Sequence, residues 1–178
     1  MRIAYRNTDK VIAPPELLKD ALQVHVAPPK DFTGTWTTWQ VNGQKGYEFQ
    51  YKGGHYDGVV TSFHDNGRKH TEQHYANQSA HGPGAGWNPD GTLCYTIQYK
   101  DGKQDGRWTH WHANGNKHSE TGYADGKYHG RVTYWHDNGQ IGSINEYKDG
   151  VKHGREASWD EKGKLQYDRK LANGEIVR

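Results

Sequence analysis

A chain of 178 residues that is 31% hydrophobic and 25% charged has too few aliphatic side chains for a conventional two-layer core. Twelve tyrosines, seven tryptophans and a rigid spacing argue against disorder, because disordered chains are poor in aromatics. A formal charge of +2 supplies no basic field for nucleic acid, and no apolar run is long enough to span a bilayer, so those two classes are set aside.

Residues 1–33 form an N-terminal segment. Within it "PPELLKDALQVHVAPP", residues 14–29, predicts a short amphipathic helix. Pro15 suits a first helical position, Leu18 and Leu22 lie four apart, and the closing prolines stop the element. Such a helix would cover the first hairpin of the chain. The opening "MRIAYRNTDKVIAPPELLKD" has no signal-peptide h-region, so the expected location is cytoplasmic on the sequence as it stands, or periplasmic if a leader has been removed. The single Cys94 excludes an internal disulfide.

From Gly34 the chain is a tandem array. Steps of 24 residues reach Gly58, Gly82, Gly106, Gly130 and Gly154 without insertion or deletion, giving units 34–57, 58–81, 82–105, 106–129, 130–153 and 154–178. With each of these glycines as position one, position six reads Trp39, Phe63, Trp87, Trp111, Trp135, Trp159, and position eighteen reads Tyr51, Tyr75, Tyr99, Tyr123, Tyr147, Leu171. A period of this size means a repeat architecture rather than one globular core. Each unit carries two turn signals, x-Asn-Gly at positions eight to ten and "KDGK" or "ADGK" at nineteen to twenty-two. The variant "NPDG", Asn88 to Gly91, points to a type I turn followed by a left-handed glycine, a three-residue loop with a G1 bulge.

The expected fold is therefore all-β: an elongated single-layer antiparallel meander of six hairpins, about 55 Å long at about 4.8 Å per strand. If both turns are three-residue loops, all even positions share one face. The odd face then collects Trp36, Val60, Trp108, Val132 and Tyr134 among His70, His110, His118, Glu48, Glu72 and Glu120. A two-residue loop would shift this parity and put the Trp and Tyr rows on opposite faces. At the end of the second unit Gln78 replaces the turn glycine and the next strand begins "GPGAG", which predicts the weakest pairing between units two and three.

The unit G-x-x-x-x-W-x-x-N-G-x(7)-Y-x-D-G-x-x-H, as in Gly106 to His129, resembles the bacterial variant of the MORN repeat over residues 34–178. Within that family it looks like the branch labelled antitoxin or immunity proteins. The resemblance implies a non-enzymatic hairpin array that binds a toxin or effector protein, type VI phospholipase effectors being one such class. Other members resemble membrane-associated scaffolds, which is the alternative reading; near-neutral charge counts against anionic lipid.

Candidate chemistry is sparse. Equivalent histidines such as His64, His112 and His136 would lie about 9.6 Å apart, too far for one ion. His110 and His118, read as cross-strand partners with Glu120 near, form the one credible ligand set, and solvated strand histidines are the commoner explanation, so no metal or other cofactor is assigned. Cys94 has no recurring His–Asp partner and a single layer offers no pocket, so no catalytic residue is expected. The aromatics and carboxylates of the odd face, Trp36, Glu48, Glu72, Trp108, His110, His118, Glu120 and Tyr134, are the expected partner-binding residues, with cross-strand packing or a homodimer as the competing explanation.

Overall fold

A computed structural model describes residues 2–6 and 28–177. The expected helix, residues 14–29, falls almost wholly outside the described residues. The chain divides into two compact units, Met1–Gly91 and Thr92–Arg178.

Unit one is an antiparallel meander of β1 (Arg2–Arg6), β2 (Gly34–Gln40), β3 (Lys45–Lys52), β4 (His55–Phe63), β5 (Lys69–Ala76) and β6 (Ser79–Trp87). Strand β1 lies along the outer edge of β2, from Arg2 opposite Gln40 to Arg6 opposite Trp36, so residues 2–6 cover that edge with backbone pairing. Unit two runs β7 (Leu93–Lys100), β8 (Lys103–Gln104), β9 (Gly106–Trp111), β10 (Lys117–Ala124), β11 (Lys127–Trp135), β12 (Ile141–Lys148), β13 (Val151–Trp159), β14 (Leu165–Ala172) and β15 (Glu175–Val177). Here β8 and β9 both pair β7, separated only at Asp105.

The first turn is the expected three-residue loop. Gly115 N donates to His112 O at 2.9 Å and His112 N to Asn116 O at 2.8 Å, closing the loop with Gly115 at φ +85°. Just beyond it lies a feature the spacing did not disclose. Trp111 pairs Lys117 but His110 pairs Ser119, so His118 at position thirteen is an extra residue. His70, Gly142 and Gln166 are bulged in the same way. A bulge opposes two residues to one and exchanges the faces beyond it.

The second turn differs from the expected three-residue loop. Lys100 pairs Lys103 and Ala124 pairs Lys127, leaving two-residue loops. Both central residues are left-handed, Asp125 at φ +51° and Gly126 at φ +78°, the type I′ pattern. Asp-Gly permits it, and the twist of this turn matches that of the strands it joins.

Paired residues in an antiparallel sheet share a face, so the register sorts the side chains. One face carries positions three, five, fourteen, sixteen, eighteen and twenty-three: in unit one Trp36, Phe49, Tyr51, Tyr56, Val60 and Tyr75, and in unit two Trp108, Tyr123, Tyr128, Val132, Tyr134 and Tyr147. The other carries positions four, six, twelve and fifteen, including Trp111, Trp135, Trp159, Lys117, Glu120 and Thr133. The Tyr and Trp rows are on opposite faces, so the single aromatic face expected from equal loops is not formed. The physical reason is the bulge at position thirteen together with the two-residue turn. Among the described residues no large side chain is fully buried; the nearest approach to a core is Phe32 against Trp36 at 5.5 Å between ring centroids, with Phe49 and Tyr51 packed on them.

The irregular strand β6 pairs β5 from Thr71 opposite Gly86 to Ala76 opposite Ser79. Pro83 falls in the gap between the pairs Gln73–Gly84 and Tyr75–Ala80, where the regular ladder is already interrupted. At the matching place in other repeats the amide is taken by a side chain, as when Val59 N donates to Gln50 Oε1 at 2.7 Å. Proline there removes no ladder bond, so β5 and β6 stay paired on both sides of it.

Candidate binding face

The Trp face carries lysines that lie over its rings and pair its glutamates in each unit. Lys117 lies over the ring of Trp135 at 5.5 Å and pairs Glu120 at 2.7 Å; Lys45 does the same with Phe63 at 5.7 Å and Glu48 at 2.6 Å. Lysine at position twelve and glutamate at fifteen would point to opposite faces of a regular strand. The intervening bulge brings them together. Glu48, Glu72 and Glu120 therefore belong to this face, Glu72 paired with Lys69, rather than to a face shared with Trp36 and Trp108.

The Tyr face is built from uncharged rings on paired strands. In unit two Trp108 and Tyr123 are 6.0 Å apart, Tyr123 and Tyr128 5.1 Å, Tyr128 and Tyr147 5.2 Å. Burial and a hydrogen bond shared with Tyr128 hold the Tyr123 phenol well above its usual range, so that ring stays neutral. Tyr51 and Tyr56 repeat that arrangement in unit one. The row is not fully covered: Tyr128, Tyr134 and Tyr167 are 40%, 44% and 41% exposed.

Of the sequence-derived residues, Trp108, His110 and Tyr134 lie on this face, with Trp108 4.8 Å from His110. Trp36 shares the corresponding face of unit one but is 5% exposed beneath Phe32. His118, the bulge residue, contacts His112 at 4.6 Å and Tyr134 at 6.1 Å. His110 pairs Ser119 rather than His118, and Glu120 is on the other side of the sheet with Lys117 and Arg107, so the three residues weighed as a ligand set do not share a face. Among the described residues no group of three metal-ligating side chains converges. Burial, and secondarily the charge of His118, lowers the His110 pKa; burial and His64 do the same to His70. The indole N–H of Trp108 is buried without an acceptor among the described residues.

Sequence reasoning passed over Tyr128 and Tyr167 because they fall outside the eighteen-position row. The signal that would have found Tyr128 is Asp-Gly itself: a type I′ turn pairs position eighteen with twenty-three, as Tyr123 with Tyr128. It also missed Lys152, Glu156 and Arg169, which meet on the Tyr face of unit two.

Fold and face together define an open β-meander repeat protein. In sequence, residues 56–77, 104–125 and 128–149 match the family described as MORN repeat variant. Each matched stretch starts just after one two-residue turn and ends in the next, so the family's unit is one hairpin of this chain. Curated protein sequences include none that matches. Among solved structures, one titled "Crystal Structure of TarM" is similar at 15% identity and a TM-score of 0.35, the match covering 60% of this chain and 20% of that chain. The present chain therefore spans about a fifth of that structure's length. No helix among the described residues is long and apolar enough to cross a membrane.

Proposed function

We propose that this chain is a non-enzymatic binding protein, an immunity protein or antitoxin that neutralises a bacterial toxin or secreted effector, a type VI phospholipase effector being the specific class, by covering it with the Tyr face of unit two. The observation that carries the reading is the uncovered tyrosine row: Tyr128, Tyr134 and Tyr167 stand part-exposed on paired strands, on a face shared with Trp108, His110 and Asn145. Tyrosine supplies large amphipathic contact area at low side-chain entropy, which is why it dominates recognition surfaces. Strands joined by tight turns present these rings pre-ordered, so little conformational entropy is lost on docking. The Trp face offers less, since its cations already lie over its rings and pair its carboxylates.

The test is capture followed by neutralisation. Lysate and envelope extract are passed over the immobilised chain, and any protein retained in stoichiometric amount is expressed with and without it in a sensitive host. Rescue of growth that is lost in Tyr128→Ser/Tyr134→Ser/Tyr167→Ser, but kept in an Ile141→Ser/Leu165→Ser variant of the opposite face, is the expected outcome. Retention of lipid alone would move the reading to a membrane-surface scaffold. Rescue by the triple tyrosine variant would remove the Tyr face from it.

A further inference from the structure

One place on the Tyr face departs from the repeat at three positions at once. Position three is Trp36, Val60, Gly84, Trp108 and Val132 in the first five units, but Glu156 in the sixth. Position sixteen is Phe49, Gln73, Ile97, Thr121 and Asn145, then Arg169. Position twenty-three is Tyr56, Ala80, Gln104 and Tyr128, then Lys152. These three substitutions are neighbours in space. Glu156 is the Cα partner of both Asn145 and Arg169, and Lys152 pairs Tyr147 one step along the same ladder. The Glu156 carboxylate accepts from Lys152 Nζ on one oxygen and from Arg169 Nε on the other.

The burial is unequal. The Glu156 side chain is 5% exposed, whereas Lys152 and Arg169 are 39% and 43% exposed. Two cations thus share one hidden anion, and the outward charge is positive. Arg169 is further held with its guanidinium 4.9 Å from the Tyr167 ring, and Lys152 lies within the influence of both Tyr147 and Tyr167. A buried ion pair is a poor way to gain stability, because desolvation offsets the attraction and apolar residues of like size do as well. The apolar solution is on hand, as Val132 occupies the same position one repeat earlier. What the charged solution adds is two cations fixed in place within a field of tyrosines.

We propose that Lys152 and Arg169, positioned by the buried Glu156, form an anchor that receives an Asp or Glu side chain of the protein docked on the Tyr face. Charge complementarity selects this occupant: the paired cations have donors to spare, and the rings around them are neutral acceptors and donors that a carboxylate tolerates. The proposal rests on the protein-binding reading above and names the chemistry of its partner.

The experiment uses fluorescein-labelled hexaglutamate, with hexaglutamine as control, titrated against the full chain by polarisation. Hexaglutamate is expected to bind more tightly than hexaglutamine, and to lose about tenfold or more in affinity in Lys152→Gln/Arg169→Gln. That pair strands a buried carboxylate, so the deciding variant is Lys152→Met/Glu156→Leu/Arg169→Met, which keeps the volume and folds with unchanged or higher Tm. Arg107→Gln/Arg131→Gln, on the other face, should bind as the parent does. Equal binding by the Met/Leu/Met variant and the parent would overturn the anchor. Two further outcomes separate the proposals. Partner capture lost in the tyrosine variant but intact in Met/Leu/Met also overturns the anchor and leaves the Tyr-face reading standing. Hexaglutamate binding that depends on Lys152 and Arg169, with no protein captured, supports the anchor and sinks the neutralisation reading.

Discussion

The histidine at position seven of a repeat is a fastener between hairpins. His64, His112 and His136 each place Nε2 within 2.8 to 3.2 Å of the carbonyl of the tryptophan one repeat on, Trp87, Trp135 and Trp159. A carbonyl only accepts, so Nε2 carries the proton in all three. Gln40 uses its amide nitrogen for the same bond to Phe63 O, and the asparagines at position nine repeat the device, Asn138 Nδ2 donating to Glu161 O at 2.8 Å. His136→Gln should therefore keep stability within a few tenths of a kcal/mol, while His136→Ala should lose about 1 kcal/mol in urea denaturation. The histidines with lowered pKa act differently. For His70 and His110 the unfolded chain, with a pKa of about 6.5, binds protons that the folded chain resists. Their penalty is absent above that pH and grows as pH falls through it, so the urea midpoint should drop between pH 7.5 and 5.5. His110→Tyr, the residue that position five holds as Tyr134, should flatten that slope. Glu146, Glu156 and Asp168 have lowered carboxylate pKa values from their hydrogen-bond and ion-pair partners, so their stabilisation is complete above about pH 4.3 and is lost further into acid.

At the scale of the hairpin, the two turns do unlike work. The three-residue loop and its bulge set which residues share a face; the two-residue loop sets which strands follow one another. In unit two the later second turns are tied to the ones before them, as Gly150 N donates to Tyr128 O and Gly174 N to Lys152 O, both at 2.8 Å. In the second repeat the place of glycine is taken by Gln78 at φ +69°, which keeps its amide bond to Tyr56 O but pays the steric cost of a Cβ in the left-handed region. Gln78→Gly should raise stability on the order of 1 kcal/mol, less the exposed hydrogen bond from Gln78 to His55, and the shift in urea midpoint measures it. The two turn signals were both legible as turns. Their lengths were not separable by composition alone, and the bulge at His118 or Gly142 leaves no mark in sequence because histidine, glycine and glutamine all occupy it. Hence Trp108 and Tyr134 were correctly placed on one face, while Glu120, an odd position like them, was not.

At the scale of the molecule, each unit gains its stability strand by strand, since each strand pairs with its neighbours in the sheet and the side-chain fasteners reach only one hairpin further. Unfolding within unit two should then begin at its outer end. Residues 161–170 are exposed throughout and β15 holds only three pairs to β14. Amide hydrogen exchange should show β14 and β15 exchanging at least about tenfold faster than β11 and β12, where Val132, Thr133 and Ile144 are buried. Uniform protection across unit two would contradict this picture.

The amino-acid sequence by itself determined the repeat, its 24-residue phase and the hairpin as its unit, because spacing and turn chemistry are properties of the local chain. Only the tertiary structure decided which residues look the same way. A one-residue bulge reverses every side chain beyond it at almost no cost in composition, so the separation of the Tyr row from the Trp row, and the meeting of Lys152, Glu156 and Arg169, exist only once the strands are paired.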